Sequence, residues 1–211
     1  MKAATSVPLA PGGVQAAPSG IVGGQWMQIG PAPLRIDKNQ NFQGQGPDSG
    51  EVVDIAIDPR NTTDRVIYIA SNDGGIWKST DGGMTWTPKT DFMSSLSMGA
   101  VALDPGNPSV VYAGTGNLFD GGGIFFRGVG IYKSIDAGET WSTLNPGGMF
   151  NNRGINRIVF PAPNVLLVAT NVGLFRSVDE GLNFGSNAPT FNNGQPVLNG
   201  FVTDVHPDTA A

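Results

Sequence analysis

One eight-residue pattern occurs three times in this chain, each time directly after a short apolar run that ends in a basic residue. The copies are residues 79–86 (STDGGMTW), 134–141 (SIDAGETW) and 177–184 (SVDEGLNF). Their aspartates, Asp81, Asp136 and Asp179, lie 55 and 43 residues apart. A period of this size is typical of chains that stack copies of one supersecondary unit. The repeat therefore predicts a row of similar small units.

The residues of each octad suit a tight turn between two strands. Glycine supplies the positive φ that such a turn needs, and the Ser and Asp side chains accept hydrogen bonds from nearby backbone N–H groups. The aromatic residue that closes each octad enters the next strand, where we expect it to bury a large apolar surface. The predicted structural turn residues are Ser79, Asp81, Gly83, Trp86, Ser134, Asp136, Gly138, Trp141, Ser177, Asp179, Gly181 and Phe184.

The octad resembles the Asp-box (BNR) repeat of sialidase-like and related β-propellers. The resemblance extends over roughly residues 26–207. It implies an all-β chain of four-stranded antiparallel blades, in which the Asp box is a structural turn far from the catalytic groups. The aspartates of the octads are therefore poor candidates for catalysis.

Proline-containing stops after strand-like runs give the same period as the octads, because Pro cannot donate to a sheet ladder. Together the two markers predict three complete blades at about 50–90, 98–145 and 154–190, with residues 201–205 as the first strand of a fourth and residues 26–31 as an outermost strand. A closed ring usually needs four to eight blades, so the expected propeller is an incomplete ring. Residues 1–25, rich in Ala, Pro and Gly, are predicted to be a flexible arm, and residues 26–211 the propeller segment.

The second blade has a long loop between its predicted second and third strands. The strand-one stop and the octad aspartate are 23, 32 and 18 residues apart in the three blades, so the second has about ten extra residues. Insertions on one face of a repeat often form a binding surface. The candidate ligand-binding residues are Phe119, Asp120, Phe125, Phe126 and Arg127, since aromatic rings beside charged groups suit a sugar. The alternative is that these Phe rings close the end of the blade core.

Residues 68–75 resemble the catalytic turn of xyloglucan-active glycoside hydrolases, which carry many Asp boxes. Counted back from Gly74 and Gly75, Asn72 stands where that family has its first catalytic Asp, and Asp73 lies one residue late. Asp73 is thus a weak catalytic candidate, or a turn residue beside two glycines. An inverting mechanism needs two carboxyl groups, and the second is not found in this chain.

Other propeller families leave the function open. Sialidases use a Tyr nucleophile, but Tyr68, Tyr112 and Tyr132 all fall in strand-like runs, and no Phe-Arg-Ile-Pro element occurs. The chain also resembles bacterial BNR-repeat proteins, sortilin-type receptors and photosystem II assembly factors. The leading hypothesis is a non-catalytic binding or structural propeller segment with a glycan or protein ligand; the alternative is a fragment of a secreted glycoside hydrolase.

Composition narrows the classes of partner. The net charge of −5 without a basic cluster argues against nucleic acid and anionic membranes, and no apolar run is long enough to span a membrane. The absence of Cys excludes thiolate sites, and although Asp91 and Asp120 could bind calcium, no spaced ligand loop supports a metal site. We expect no cofactor. The family resemblance implies an extracellular, cell-surface or periplasmic bacterial protein, and exposed blade edges predict self-association or further blades.

Overall fold

The computed structural model describes residues 51–60, 66–117, 127–185 and 197–206. The predicted arm, the predicted strand at 26–31 and four candidate ligand-binding residues, Phe119, Asp120, Phe125 and Phe126, lie outside the described residues.

The described chain forms three four-stranded antiparallel sheets in sequence order. The first contains β1 (Val52–Ile57), β2 (Ile67–Ser71), β3 (Gly75–Ser79) and β4 (Thr87–Pro88). The second contains β5 (Met98–Leu103), β6 (Val111–Thr115), β7 (Ile131–Ser134) and β8 (Ser142–Leu144). The third contains β9 (Ile155–Ala162), β10 (Val165–Thr170), β11 (Gly173–Ser177) and β12 (Leu198–Asn199). Each sheet runs from an innermost to an outermost strand, as in a propeller blade, and the predicted all-β fold with an unclosed ring is confirmed.

The core lies between neighbouring sheets rather than inside one of them. One cluster joins the first two sheets through Tyr68, Ile76 and Val101, and another joins the last two through Tyr112 and Ile155. Strands β2 and β6 are buried throughout, because each is a central strand with a hydrogen-bonded strand on either edge. Burial of these apolar clusters fixes the position of each sheet against its neighbour.

Close approach of the inner strands requires glycine at Gly99. A Cβ at this position would lie 2.2 Å from the carbonyl oxygen of Ile155 and 2.8 Å from that of Gly116. Real Cβ atoms do not tolerate such distances from backbone atoms. The side-chain-free backbone at Gly99 thus allows β5 and β9 to pack tightly.

An ion pair between a buried carboxylate and a partly exposed arginine links all three sheets near their innermost strands. Asp54 on β1 accepts a hydrogen bond from the backbone N–H of Val101 on β5 at 3.0 Å. It also pairs with Arg157 on β9, whose Nη1 lies 2.6 Å from Asp54 Oδ1. Burial raises the pKa of the Asp54 carboxyl, against the lowering effect of the Val101 amide and Arg157. Sequence reasoning did not find this contact.

The third blade ends later than the sequence predicts. The boundary at residue 190 is wrong, because the outermost strand of the third sheet is β12, whose Leu198 pairs with Leu174. Gly185 forms an earlier single bridge to Arg176. The two contacts lie on either side of residues 186–196, which are outside the described part of the chain. Gly185 and Leu198 are 13 residues apart in the sequence, which breaks the regular spacing on which the prediction depended.

Residues 201–205 form no strand, contrary to the prediction for them. They nevertheless lie beside the third sheet, since the Val202 N–H donates to the carbonyl of Thr170 at 3.0 Å and Asn156 Nδ2 donates to the Val202 carbonyl at 2.7 Å. Met98, the first residue of β5, makes the corresponding contact with the carbonyl of Asn72. Residues 201–205 therefore lie where the innermost strand of a following sheet would begin. The described part of the chain contains no second strand with which they could pair.

The residues that close the octads differ in burial. Phe184 is fully buried and lies edge-to-face against Phe150, with ring centroids 5.0 Å apart. Trp86 and Trp141 are only half-buried, and each indole N–H donates to a glycine carbonyl of its own octad. The expectation of a large buried surface thus applies to Phe184 and only in part to the two tryptophans.

Candidate functional site

The antiparallel order of the strands separates two ends of the sheets. One end, here called the octad face, carries the three octads and the links between the first and second strands of each sheet. The other, here called the loop face, carries the turns between second and third strands and the links between sheets. Asp73, Asp91 and Arg127 belong to the loop face. The octads therefore lie at the end opposite the candidate site residues.

Each octad folds into the same hydrogen-bonded turn. In the first, Ser79 Oγ accepts from the Gly83 N–H at 2.8 Å, and Asp81 accepts from the Thr85 N–H at 2.9 Å and from its hydroxyl at 2.6 Å. The octads at 134–141 and 177–184 repeat these bonds, with an Asn183 side chain replacing the Thr hydroxyl in the last. The carboxylates are occupied within their own turns.

These hydrogen bonds hold the octad carboxyls in the ionised form. Donation by Thr85 lowers the pKa of Asp81 from 3.8 to about 2, and donation by Thr140 does the same for Asp136. Burial raises the pKa of Asp179, but the side chain and backbone of Asn183 outweigh it and the net shift is downward. A general acid at neutral pH needs a raised pKa, so this shift is in the wrong direction for acid catalysis.

The octads also bind the preceding sheet. Tyr68 in the first sheet donates its hydroxyl to the carbonyl of Ala137 in the second octad at 2.8 Å, and Lys78 Nζ donates to the same oxygen at 2.7 Å. In the next pair of sheets Tyr112 donates to the carbonyl of Glu180 at 3.1 Å, and Lys133 pairs with the Glu180 carboxylate at 2.8 Å. Burial raises the pKa of Tyr112 and of Tyr68.

The sequence analysis did not find these hydrogen bonds between each octad and the preceding sheet, although the sequence contains a pattern that could have indicated them. Tyr on the second strand and Lys on the third recur in the first two sheets, directly opposite each other in register. In the third sheet Leu167 takes the place of the tyrosine. Tyr68 and Tyr112 therefore have structural positions. Tyr132 is also fully buried, and its hydroxyl accepts from the Ser95 N–H, so all three are poor candidates for a nucleophile.

A small polar cleft lies on the octad side, between the first sheet and the second octad. It has a volume of about 70 Å³, and the two ammonium groups of Lys78 and Lys89 both contact the carboxylate of Glu139. The cleft is too small for a sugar ring, and both of its ammonium groups are already paired with Glu139. It is not a candidate site.

On the loop face, the turn from β2 to β3 places Asn72 and Asp73 in different surroundings. Asn72 is buried, and its Nδ2 donates to Glu51 Oε2 at 3.2 Å, whereas Asp73 is exposed to solvent. Because Asn72 occupies the position that the xyloglucanase-like pattern gives to a carboxylate, an amide stands where a proton-transferring group would be needed. The two neighbouring positions thus differ in burial.

The link between the first two sheets presents an exposed aromatic ring that the sequence analysis did not single out. Phe92 is fully exposed, with Asp91 exposed beside it. The link is fixed at its end, since the Ser95 N–H donates to the Tyr132 hydroxyl at 2.8 Å and the Leu96 carbonyl accepts from Gly75 at 2.8 Å. Phe92 belongs to no repeat or motif. The signal that could have indicated an exposed ring was an aromatic residue in a link between two predicted blades.

Arg127 is the one predicted ligand-binding residue of the insertion within the described ranges. It is exposed, and its Nη1 donates to Asn152 Oδ1 at 3.2 Å. The neighbouring Arg153 places its guanidinium over the Phe175 ring at 5.2 Å, with Nη1 buried and without a hydrogen-bond partner. Arg127 thus presents a guanidinium group on the loop face, whereas that of Arg153 is packed against the third sheet.

Among the described residues, no group of three or more His, Cys, Asp or Glu side chains is arranged to hold a metal ion. No helix in the same part of the chain is long and apolar enough to cross a membrane.

Comparison with known proteins places the chain beside xyloglucanases, although no protein-family model matches it. A xyloglucanase from Hypocrea jecorina is 31% identical over 151 residues, which cover 67% of this chain and 16% of the relative. Xyloglucanase Xgh74A from Acetivibrio thermocellus is 28% identical over 126 residues, covering 48% and 14%. The chain therefore spans less than a fifth of the length of these relatives.

A solved structure gives the same likeness at the level of the fold. The crystal structure of an ancestral GH74 enzyme superposes with a TM-score of 0.50 at 24% identity, over 64% of this chain and 18% of that protein. At this identity the match supports the propeller architecture alone.

Proposed function

We propose that this chain is a non-catalytic, glycan-binding segment of a β-propeller, with a β-glucan of the xyloglucan class as its ligand. The similarity to xyloglucanases supports the ligand class. The observation that carries the proposal is the buried Asn72 amide, bound to Glu51 in the turn where a catalytic carboxylate would be required. An amide cannot take up or release the proton of a glycosidic cleavage.

The loop face has the chemistry that a neutral sugar needs. The ring of Phe92 is open for stacking on the apolar face of a pyranose, and Asp73, Asp91 and Arg127 are exposed for hydrogen bonds to hydroxyl groups. Phe119, Asp120, Phe125 and Phe126 of the insertion remain part of the proposed site. The chain carries a net charge of −5, which an uncharged polysaccharide tolerates better than an acidic ligand does.

A fragment of a glycoside hydrolase is the second candidate, favoured by the matches to xyloglucanases and by the carboxylates of Glu51 and Asp73 on the loop face. An inverting pair requires two carboxyl groups about 6.5–9.5 Å apart, with one held protonated. In this case the chain supplies one part of an active site that residues from elsewhere complete. In either case the ligand is an external polymer, and we propose an extracellular, cell-surface or periplasmic location.

Calorimetric titration of a xyloglucan oligosaccharide, with a parallel assay for new reducing ends, separates the two candidates. We expect binding no tighter than about micromolar and no new reducing ends. Phe92→Ala is expected to weaken binding at least tenfold, which is about 1.4 kcal/mol. Ile135→Ala is the matched control, because Ile135 is an exposed apolar residue on the octad face. Turnover by the parent chain would support the hydrolase fragment, and absence of binding would contradict both candidates.

A further inference from the structure

The link between the first two sheets carries Phe92 in a closed β-turn. The Met93 N–H donates to the Thr90 carbonyl at 2.9 Å, so Asp91 and Phe92 are the two central residues of the turn. Thr90 is itself 1% exposed, and its Oγ1 accepts from the Ile76 N–H of β3 at 2.8 Å. The first sheet therefore holds the turn at the residue where it begins.

A tyrosine of the second sheet holds the same link beyond the turn. The Tyr132 hydroxyl on β7 accepts from the Ser95 N–H at 2.8 Å and donates to the Ser95 carbonyl at 3.3 Å, and Ser94 Oγ lies 3.2 Å from it. Met93 packs against the apolar cluster between the two sheets, to which the Tyr132 ring belongs. The turn is thus fixed on both sides of the exposed Phe92.

The core requires the ring of Tyr132 but not its hydroxyl. Trp77, Tyr132 and Phe175 occupy the same place in the three sheets, two residues before the serine that begins each octad. Phe175 is 0% exposed, as Tyr132 is, so a ring without a hydroxyl fills such a position completely. Among the described residues, the hydrogen bonds of the Tyr132 hydroxyl all go to Ser94 and Ser95 of the link. The hydroxyl therefore acts on the link and not on the packing of the sheet.

A fixed turn matters for stacking on a ligand. Because the Phe92 ring is fully exposed, its position depends on the backbone that carries it. A loop or side chain that becomes ordered only on binding loses conformational entropy, which weakens affinity, whereas one already held in place avoids this loss. The bonds that hold the turn at 90–93 before binding therefore favour stacking of Phe92 on a sugar ring.

We propose that Tyr132 is a positioning residue of the loop-face site, whose hydroxyl holds the turn at 90–93 in the form that presents Phe92 to a sugar. Tyr132 is fully buried, so it acts through the link and does not contact the ligand. The inference rests on the proposed glycan-binding function. It gives the second sheet a part in a site formed by the link that follows the first.

Tyr132→Phe tests the proposal, with Tyr112→Phe as the matched control. Tyr112 is also fully buried, and its hydroxyl donates to a backbone carbonyl at the octad face, so both variants lose a hydroxyl bond to the backbone and keep the ring. Hydrogen exchange of the Ser95 amide, followed by NMR, is expected to be at least about tenfold faster in Tyr132→Phe and unchanged in Tyr112→Phe. Calorimetric titration with a xyloglucan oligosaccharide is expected to show binding about three- to tenfold weaker for Tyr132→Phe alone.

A double variant separates positioning from a general effect on stability. Since Tyr132 is proposed to act through Phe92, Tyr132→Phe in the Phe92→Ala background should have no further effect on affinity, whereas independent effects would add. Melting curves of both tyrosine variants identify any difference in overall stability. A parent that binds beside a Tyr132→Phe variant that binds equally well, an unchanged Ser95 exchange rate, or additive losses in the double variant would overturn this proposal alone. A parent that binds no oligosaccharide would overturn the proposed function and this proposal with it.

Discussion

Replacing the aromatic residue of an octad by alanine should destabilise the chain in proportion to how much of that side chain is buried between the sheets. Its position in the octad should not by itself determine the loss. Phe184 is fully buried between the second and third sheets, and its ring contacts Phe150 at 5.0 Å. Emptying such a site costs about 3–5 kcal/mol, of which the aromatic pair accounts for about 0.5–1.5 kcal/mol. Phe184→Ala is therefore expected to lower the free energy of unfolding by that total.

Trp86→Ala is the matched variant, because Trp86 has the same place in an octad but is only partly buried. Full burial of a large apolar side chain contributes about 1.5–3 kcal/mol, and Trp86 is buried in part, so the expected loss is about 1–2.5 kcal/mol, below that for Phe184→Ala. Urea denaturation of both variants, followed by tryptophan fluorescence and circular dichroism at concentrations where the chain is monomeric, gives the two free energies. Equal losses in the two variants, or a loss below about 1 kcal/mol for Phe184→Ala, would refute the reasoning.

Four further outcomes follow from the contacts. Gly99→Ala should prevent stable folding, because the added Cβ would lie 2.2 Å from the Ile155 carbonyl oxygen. Gly106→Ala should be tolerated, because its Cβ would lie 3.3 Å from an Asp104 carboxylate oxygen, and melting curves of the two variants test the difference. Tyr68→Phe should cost about 0.5–1.5 kcal/mol in urea, because the Ala137 carbonyl keeps its bond to Lys78. Arg157→Ala should cost about 1–3 kcal/mol, and Asp54→Asn in the same background should recover part of it, because the first change leaves the buried Asp54 carboxylate with only its two backbone N–H donors. The folded-state pKa of Asp136 is about 2 against an ordinary 3.8, so its stabilisation is present above about pH 4 and lost as the pH falls towards 2; Asp136→Asn should therefore differ from the parent at pH 7 and approach it at pH 2 in urea midpoints.

The turns could be predicted from sequence because their chemistry is local. Ser79, Asp81 and Gly83 bond to one another within the same octad, so the residues that make the turn are adjacent in the printed sequence. The strand order followed from the repeat. The same reasoning failed for the last strand of the third sheet, whose contacts at Gly185 and Leu198 stand on either side of the undescribed residues 186–196.

The candidate site could be predicted only in part. Asp73 and Arg127 were placed correctly on the loop face by counting strands, because that argument needs topology alone. The ion pair of Asp54 with Arg157 joins residues 103 positions apart and carries no local signal. The exposure of Phe92 depends on how a link of unpatterned sequence lies between two sheets, which no periodicity determines. The burial of Asn72 beside Glu51 likewise becomes visible only when β1 and β2 are paired.

Amide chemical-shift mapping of the isotope-labelled chain during titration with a xyloglucan oligosaccharide tests the central claim most directly. The account predicts shifts confined to the loop face, strongest at Asp73, Asp91, Phe92 and Arg127, with an unaltered sugar at the end of the titration. Shifts centred on the octads at 79–86 and 134–141, or a sugar cleaved during the measurement, would contradict it.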